Sequence, residues 1–221
     1  MNAAKYIRDL EEKYSARDYR SYMGGSFDEK NSRGNSVIVT APYCVNGYNS
    51  KGEVIKKAEI FTGGIGEALH NVTGCTFIYA GDCFEFLKYA NMIRGMAKLE
   101  YAECLLEIRS YNGSEDKSIL LGKLSDRQEG YNDSEYLSKL MKYIYDEVSY
   151  FIPHDNVCEV FHPNLVESWK DNDSVLLELQ MSPEVKDLPM IQVFIPTSYI
   201  EDDIILSKVF SALKKFIREV G

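Results

Sequence analysis

The sequence has no block of clustered lysine and arginine, no apolar run of membrane-spanning length, no CxxC pair and only three histidines. Each absence removes a class of function. A formal net charge of -9 with no basic block argues against nucleic acid and anionic membranes as partners, because a phosphate backbone is bound through clustered cations. The N-terminal MNAAKYIRDLEEKYSARDYR alternates charges with apolar residues and so lacks the core of a signal peptide. A cytoplasmic setting is expected. The five cysteines, Cys44, Cys75, Cys83, Cys104 and Cys158, are odd in number and read as reduced thiols. The sequons at Asn71 and Asn112 then read as chance matches.

What is present is enough for one sizeable core: 221 residues, 45% apolar and 12% aromatic. A single domain over 1–221 is expected, with 1–35 an N-terminal helix (Ala3 to Tyr14) and a Gly, Ser and Asn-rich lead-in (Gly24 to Asn35). Strand-like runs at Ser36 to Ala41, Cys75 to Ala80, Tyr101 to Arg109, Ser118 to Leu124, Val157 to Phe161, Ser174 to Met181 and Met190 to Ile195 alternate with helical patterns. The helical patterns cover Lys56 to Asn71, Phe84 to Leu99, Ser134 to Phe151 and a C-terminal stripe from Leu206 to Val220, where Glu201, Asp202 and Asp203 suit the positive N-terminal end. This alternation predicts an α/β fold with a mixed central sheet of about six to eight strands flanked by helices. Gly63, Gly64 and Gly66 inside the predicted Lys56 to Asn71 helix each cost about 1 kcal/mol relative to Ala, so backbone or ligand must come close there.

The most informative stretch is SVIVTAPYCVNGYNSKGEVIKKAEIFTGG, Ser36 to Gly64. A buried β-branched strand is closed by Pro42, so the chain leaves the sheet at Tyr43 and Cys44, where loops carry site residues. A polar excursion then leads to a helix opening that bears Glu59. Ala41-Pro42-Tyr43, the loop with its N-G and K-G pairs, and Lys56 to Gly63 with Glu59 and Thr62 together resemble the N-formylglutamate amidohydrolase family. Gly81-Asp82, Leu106-Glu107-Ile108-Arg109 and Leu176-Leu177-Glu178-Leu179 follow in the family's order.

The resemblance implies a carboxypeptidase/phosphorylase-hydrolase-like α/β fold and a zinc-dependent amide hydrolase, in which two histidines and a carboxylate hold the metal and a second glutamate activates its water. At the ligand positions this chain has Tyr43, Glu59 and Arg109. A phenol is a poor zinc ligand and a guanidinium repels the ion, so no metal site and no cofactor are expected here; zinc enters only if the chain is an active amidohydrolase. Glu178 is the candidate catalytic base, against the plainer reading of a carboxylate on a strand's solvent face; setting the late strand at Gln192 to Ile195 instead puts Phe194 at that position. Arg109 is read as taking over the metal's electrostatic role through a bidentate pair with Glu59, against the plainer reading of a surface arginine at a strand end.

Two functional classes follow. One is a divergent, zinc-free member of the fold that binds a small anionic ligand or a partner through Tyr43, Cys44, Glu59 and Arg109. The other is an active metal-dependent amidohydrolase acting on a small carboxylate-bearing amide. Elsewhere, His154, Cys158 and His162 are spaced four and four, but Pro153 and Pro163 bracket them and the run between has strand character, which separates them. Cys44 has no histidine near it in sequence to make a thiolate, and reads first as a small hydrophobe. His70 is expected on a helix surface or partly buried.

Overall fold

The structure is a computed structural model that describes residues 2–16, 18–20, 27–48, 51–80, 86–99, 101–112, 118–123, 133–152, 157–161, 185 and 188–221. The runs become strands because the central ones are apolar and buried on both faces, and the edge ones pair against them. They form β1 (Phe27–Lys30), β2 (Val37–Ala41), β5 (Thr76–Ala80), β6 (Cys104–Tyr111), β7 (Ile119–Lys123), β8 (Cys158–Phe161) and β9 (Met190–Pro196). These seven make one sheet in the order β1-β5-β2-β6-β9-β7-β8, while β3 (Gly47–Tyr48) and β4 (Val54–Lys56) make a separate two-stranded ribbon. Strands β5, β2, β6 and β9 run parallel; β1 and β7 run antiparallel to β5 and β9, and β8 follows β7 in parallel. The expected mixed α/β sheet is therefore the observed one.

Side-chain alternation sorts this sheet into two faces. Val37, Val39, Phe77, Leu106, Ile108, Val193 and Ile195 face one large core, shared with helices α1 (Ala3–Ser15), α2 (Thr62–Thr73), α4 (Asp133–Val148) and α6 (Asp203–Val220). Ile38, Ile78, Leu105 and Met190 face a smaller core built on α3 (Phe86–Leu99), with Tyr89, Ala90 and Ile93 at zero exposure. Helix α6 follows the short α5 (Thr197–Glu201), and Asp202 caps it by accepting from the amides of Ile204 and Ile205 at 2.8 and 3.0 Å.

Three expectations change. The helix predicted from Lys56 begins only at Thr62, because Val54–Lys56 pairs with Gly47–Tyr48 and the next residues are tied by their amides to the loop after β2. The Ala58 amide donates to Asn46 Oδ1 at 2.8 Å and the Glu59 amide to the Tyr43 carbonyl at 2.7 Å. Part of the Gly/Ser/Asn-rich lead-in forms strand β1 against β5. His70 is buried, its Nδ1 2.6 Å from the Cys75 carbonyl oxygen, and burial lowers its pKa. The strand expected at Ser174 to Met181 and the pieces around Gly81-Asp82, His154 and His162 lie outside the described residues. No described helix is long and apolar enough to cross a membrane.

The glycine cluster of α2 does receive a close neighbour, and that neighbour is protein. A Cβ on Gly63 would stand 2.7 Å from the Tyr14 ring, and one on Gly64 would stand 2.8 Å from the Ile7 carbonyl oxygen. Gly66 likewise lies directly against the Phe77 ring. Glycine lets α1 and β5 pack onto the α2 backbone, and this close packing offsets the propensity cost. Glu11 completes the joint. Phe61 sits at φ 65° and α2 has no side-chain cap of its own. Glu11 of α1 instead accepts from the Phe61 amide through Oε1 and the Gly64 amide through Oε2, both at 2.7 Å.

Candidate functional site

Strand β2 is where the parallel sheet reverses its order: the chain leaves it through α2 to β5 on one side, then returns through α3 to β6 on the other. In open α/β sheets, ligands bind outside the carboxyl ends of the strands at such a switch point. Tyr43 lies two residues past the end of β2 and Arg109 near the end of β6, so both arrive there. Glu59 is brought in by the loop before α2, through its amide on the Tyr43 carbonyl.

The three side chains converge. Arg109 Nε lies 2.9 and 2.8 Å from the two Glu59 carboxylate oxygens, and Nη2 donates to Oε1 at 2.6 Å. The Ser110 amide adds a bond to Glu59 Oε2 at 3.1 Å. On its other side Arg109 Nη1 donates to Glu107 Oε1 at 3.1 Å, and Gln192 Nε2 donates to the same oxygen at 2.9 Å. The guanidinium stands 4.3 Å from the centre of the Tyr43 ring and 5.0 Å from that of Phe194. The Lys56 ammonium lies 3.6 Å from the Tyr43 ring centre. Lys56, Tyr43, Arg109 and Phe194 thus form a run of cation–π contacts through the cluster.

Register explains why these residues meet. Thr40 pairs with Glu107 and Arg109 with Phe194 across neighbouring parallel strands. Period-two alternation sends Glu107, Arg109, Gln192 and Phe194 to the α3 face, opposite Leu106, Ile108, Val193 and Ile195. Glu107 is 1% exposed, and burial raises its carboxyl pKa against the opposing pull of Arg109 and Gln192. Burial also disfavours the charged Arg109, but Glu59 and then Glu107 more than offset it, so its pKa moves up and the cation is fixed.

Two sequence candidates do not join this cluster in the described structure. Cys44 turns to the opposite face of the sheet, at zero exposure in the α1–α2 core, with its Sγ on the Ala80 carbonyl oxygen at 3.2 Å. Its thiol pKa is pushed up by burial and by Glu11, the reverse of what a nucleophile needs. Glu178 lies outside the described residues. Sequence reading passed over Glu107, Gln192 and Lys56. For the first two a signal was available: a polar residue two positions before another site position, in an otherwise apolar strand, must share its face. Lys56 gave none, since its approach to Tyr43 depends on the β3–β4 ribbon.

The zinc chemistry implied by the family resemblance does not fit these residues. Both Glu59 oxygens are committed to a guanidinium that stands among the three ligand positions, and Tyr43 presents a ring face to that cation. Among the described residues, no three His, Cys, Asp or Glu side chains gather as metal ligands do.

No family model and no curated protein sequence matches the chain. Solved structures do. The gene product Atu2144 from Agrobacterium tumefaciens is 10% identical, over 100% of this chain and 98% of that one, with a TM-score of 0.54. The N-acetylmuramoyl-L-alanine amidase from Clostridium difficile 630 is 12% identical, over 84% and 96%, with a TM-score of 0.51. At such identities the likeness is one of fold: the chain has a single-domain α/β fold similar to theirs, with a seven-stranded mixed sheet between helical layers.

Proposed function

We infer that this chain is a divergent, N-formylglutamate amidohydrolase-like protein that has exchanged zinc-dependent catalysis for the binding of a small anionic ligand at the Tyr43–Glu59–Arg109 cluster. The observation that carries this reading is the forked pair between Arg109 and both oxygens of Glu59. A fixed cation there neutralises the one remaining carboxylate ligand, as a metal would, but has no open coordination position at which to activate water. The base position fits the same reading. Phe194 is the register partner of Arg109 and its ring lies over the guanidinium, so where the late strand of the resemblance is taken as β9, an apolar side chain stands in place of the proton acceptor.

Charge supports an anionic ligand. Lys56 and Arg109 bring two cations to the cluster in a chain of net charge -9, and burial raises the carboxyl pKa of Glu107, one of the two acids set against them. The cluster stands at the switch point of the sheet, where open α/β sheets place their ligands.

Metal analysis of the purified protein, run beside hydrolysis of N-formyl-L-glutamate and calorimetric titration with L-glutamate, tests this function. We expect no stoichiometric zinc, no chelator-sensitive hydrolysis, and glutamate binding that weakens at least tenfold in Lys56→Gln. Stoichiometric zinc with hydrolysis abolished by a chelator would instead establish the active metal-dependent amidohydrolase.

A further inference from the structure

A cavity of about 570 Å³ opens on the helical face of the molecule, on the far side of the sheet from Arg109. Its floor is α6, which presents Ser207, Ser211, Lys214 and Arg218 at spacings of four, three and four, the positions that share one helix face. The N-terminal turn of α1 walls one side, with Ala3 and Tyr6, and Glu147 of α4 stands on the other. Phe210 and Val72 add an apolar lining.

The charges around this cavity do not balance. Glu147 is its single acid among the described residues, and that carboxylate is already shared by two cations, Lys208 at 3.3 Å and Lys215. Their attraction holds the Glu147 pKa down although partial burial opposes it. Lys214 has no ion-pair or hydrogen-bond partner among the described residues. Among the described residues Arg218 has only the Val72 carbonyl at 3.0 Å, a neutral acceptor at the end of α2. The N-terminal end of the thirteen-residue α1 adds its positive dipole on the same side, although Asn2 and Ser207 already cap its first amides. Two cations with no carboxylate partner among the described residues thus stand beside an apolar lining, an arrangement that suits an anion on a chain of net charge -9.

We propose that this cavity is a second binding site, taking a small amphipathic anion whose carboxylate or phosphate lies between Lys214 and Arg218 and whose apolar body rests on Phe210 and Val72. Its volume falls within the few hundred to one thousand Å³, roughly, that ligand sites occupy. The ion pairs of the Arg109 cluster and of this cavity lie on opposite sides of the sheet, so the two sites titrate independently unless the sheet itself moves.

The test uses octanoate, octyl phosphate and neutral octanol as probes, titrated into the full-length protein and followed by amide chemical shifts and calorimetry. We expect at least one of the two anions to bind at least tenfold more tightly than octanol, with the largest shifts from Ser207 to Arg218. The preferred anion distinguishes a carboxylate from a phosphate head group. Affinity should fall at least tenfold in Lys214→Gln/Arg218→Gln and should be unchanged in Lys56→Gln, which separates this site from the Arg109 cluster. Thermal unfolding confirms that each variant is folded, and the single Lys214→Gln variant stands in if the double one is not. Binding of octanol as tight as that of both anions, shifts centred elsewhere, or unchanged affinity in the folded variants would each overturn the proposal.

Discussion

Arg109 reaches Glu59 across fifty residues of sequence and holds both of its carboxylate oxygens, while its other terminal nitrogen takes Glu107. One cation therefore ties the loop before α2 to strand β6, and through Glu107 and Gln192 to strand β9. Side-chain exposure is 12% for Arg109, 14% for Glu59 and 1% for Glu107, so removing the cation strands two carboxylates in a largely desolvated place.

Substituting Arg109 by Met is thus expected to lower stability by about 3–5 kcal/mol, the usual cost of breaking a buried pair from one side. Arg109→Lys should recover only part of this, because an ammonium cannot reproduce the fork that spans Glu59. Urea denaturation of the three proteins checks the order; a Met variant as stable as wild type would mean that the pair contributes nothing.

The joint between α1 and α2 carries a pH dependence. Burial raises the Glu11 pKa from 4.5 to about 7, against the lowering pull of the Gly64 and Phe61 amides, Tyr19 and Lys13. Between those values the folded state keeps a proton that the unfolded state has released, so this group's contribution to stability falls as pH rises through the window and is level above it. The shift corresponds to roughly 3 kcal/mol. Relative to wild type, Glu11→Gln should gain about that much between pH 5 and pH 8, read from unfolding free energies at the two pH values. A constant difference between the two proteins would contradict it.

Gly66→Ala should destabilise although alanine is the better helix former, because its Cβ would run into the Phe77 ring, which is itself stacked on Tyr79 with 5.0 Å between centroids. Overpacking of this kind costs about 1–3 kcal/mol, and a domain of this size loses roughly 2–4 °C in Tm per kcal/mol. Calorimetry of the variant gives the answer directly.

Cys44, Cys75, Cys104 and Cys158 should resist alkylation in the native protein. All are buried, and burial pushes Cys75 and Cys158 up to about 12 and Cys44 higher still. Peptide mapping after iodoacetamide treatment at neutral pH should find these four unmodified until denaturant is added. Labelling of native Cys44 would restore it as a site residue.

Much of the fold was legible in the chain because local pattern and burial agree. The β-branched runs at Val37, Thr76 and Met190 became strands within one or two residues of their expected bounds, and the apolar stripe from Leu206 to Val220 became α6. Strand β1 escaped notice because it is a short edge strand, FDEK, held by pairing with β5 and without an apolar pattern of its own. The start of α2 was misplaced for a similar reason: nothing local forbids a helix over Lys56 to Phe61, and the ribbon with β3 and the bonds to Asn46 and Tyr43 keep the segment out of one.

At the site, the sequence alone determined which residue types stand at the positions that the family resemblance marks as metal ligands: a glutamate, with a tyrosine and an arginine where the resemblance implies histidines. It also determined that Glu107 and Arg109 share a face, since strand alternation is local geometry. Only the tertiary structure decided that Arg109 closes on Glu59, that Phe194 lies over it, and that Cys44 turns away into the opposite core. Those outcomes depend on strand order and register, which set residues far apart in the chain 3–5 Å from one another, and no short-range pattern encodes such distances.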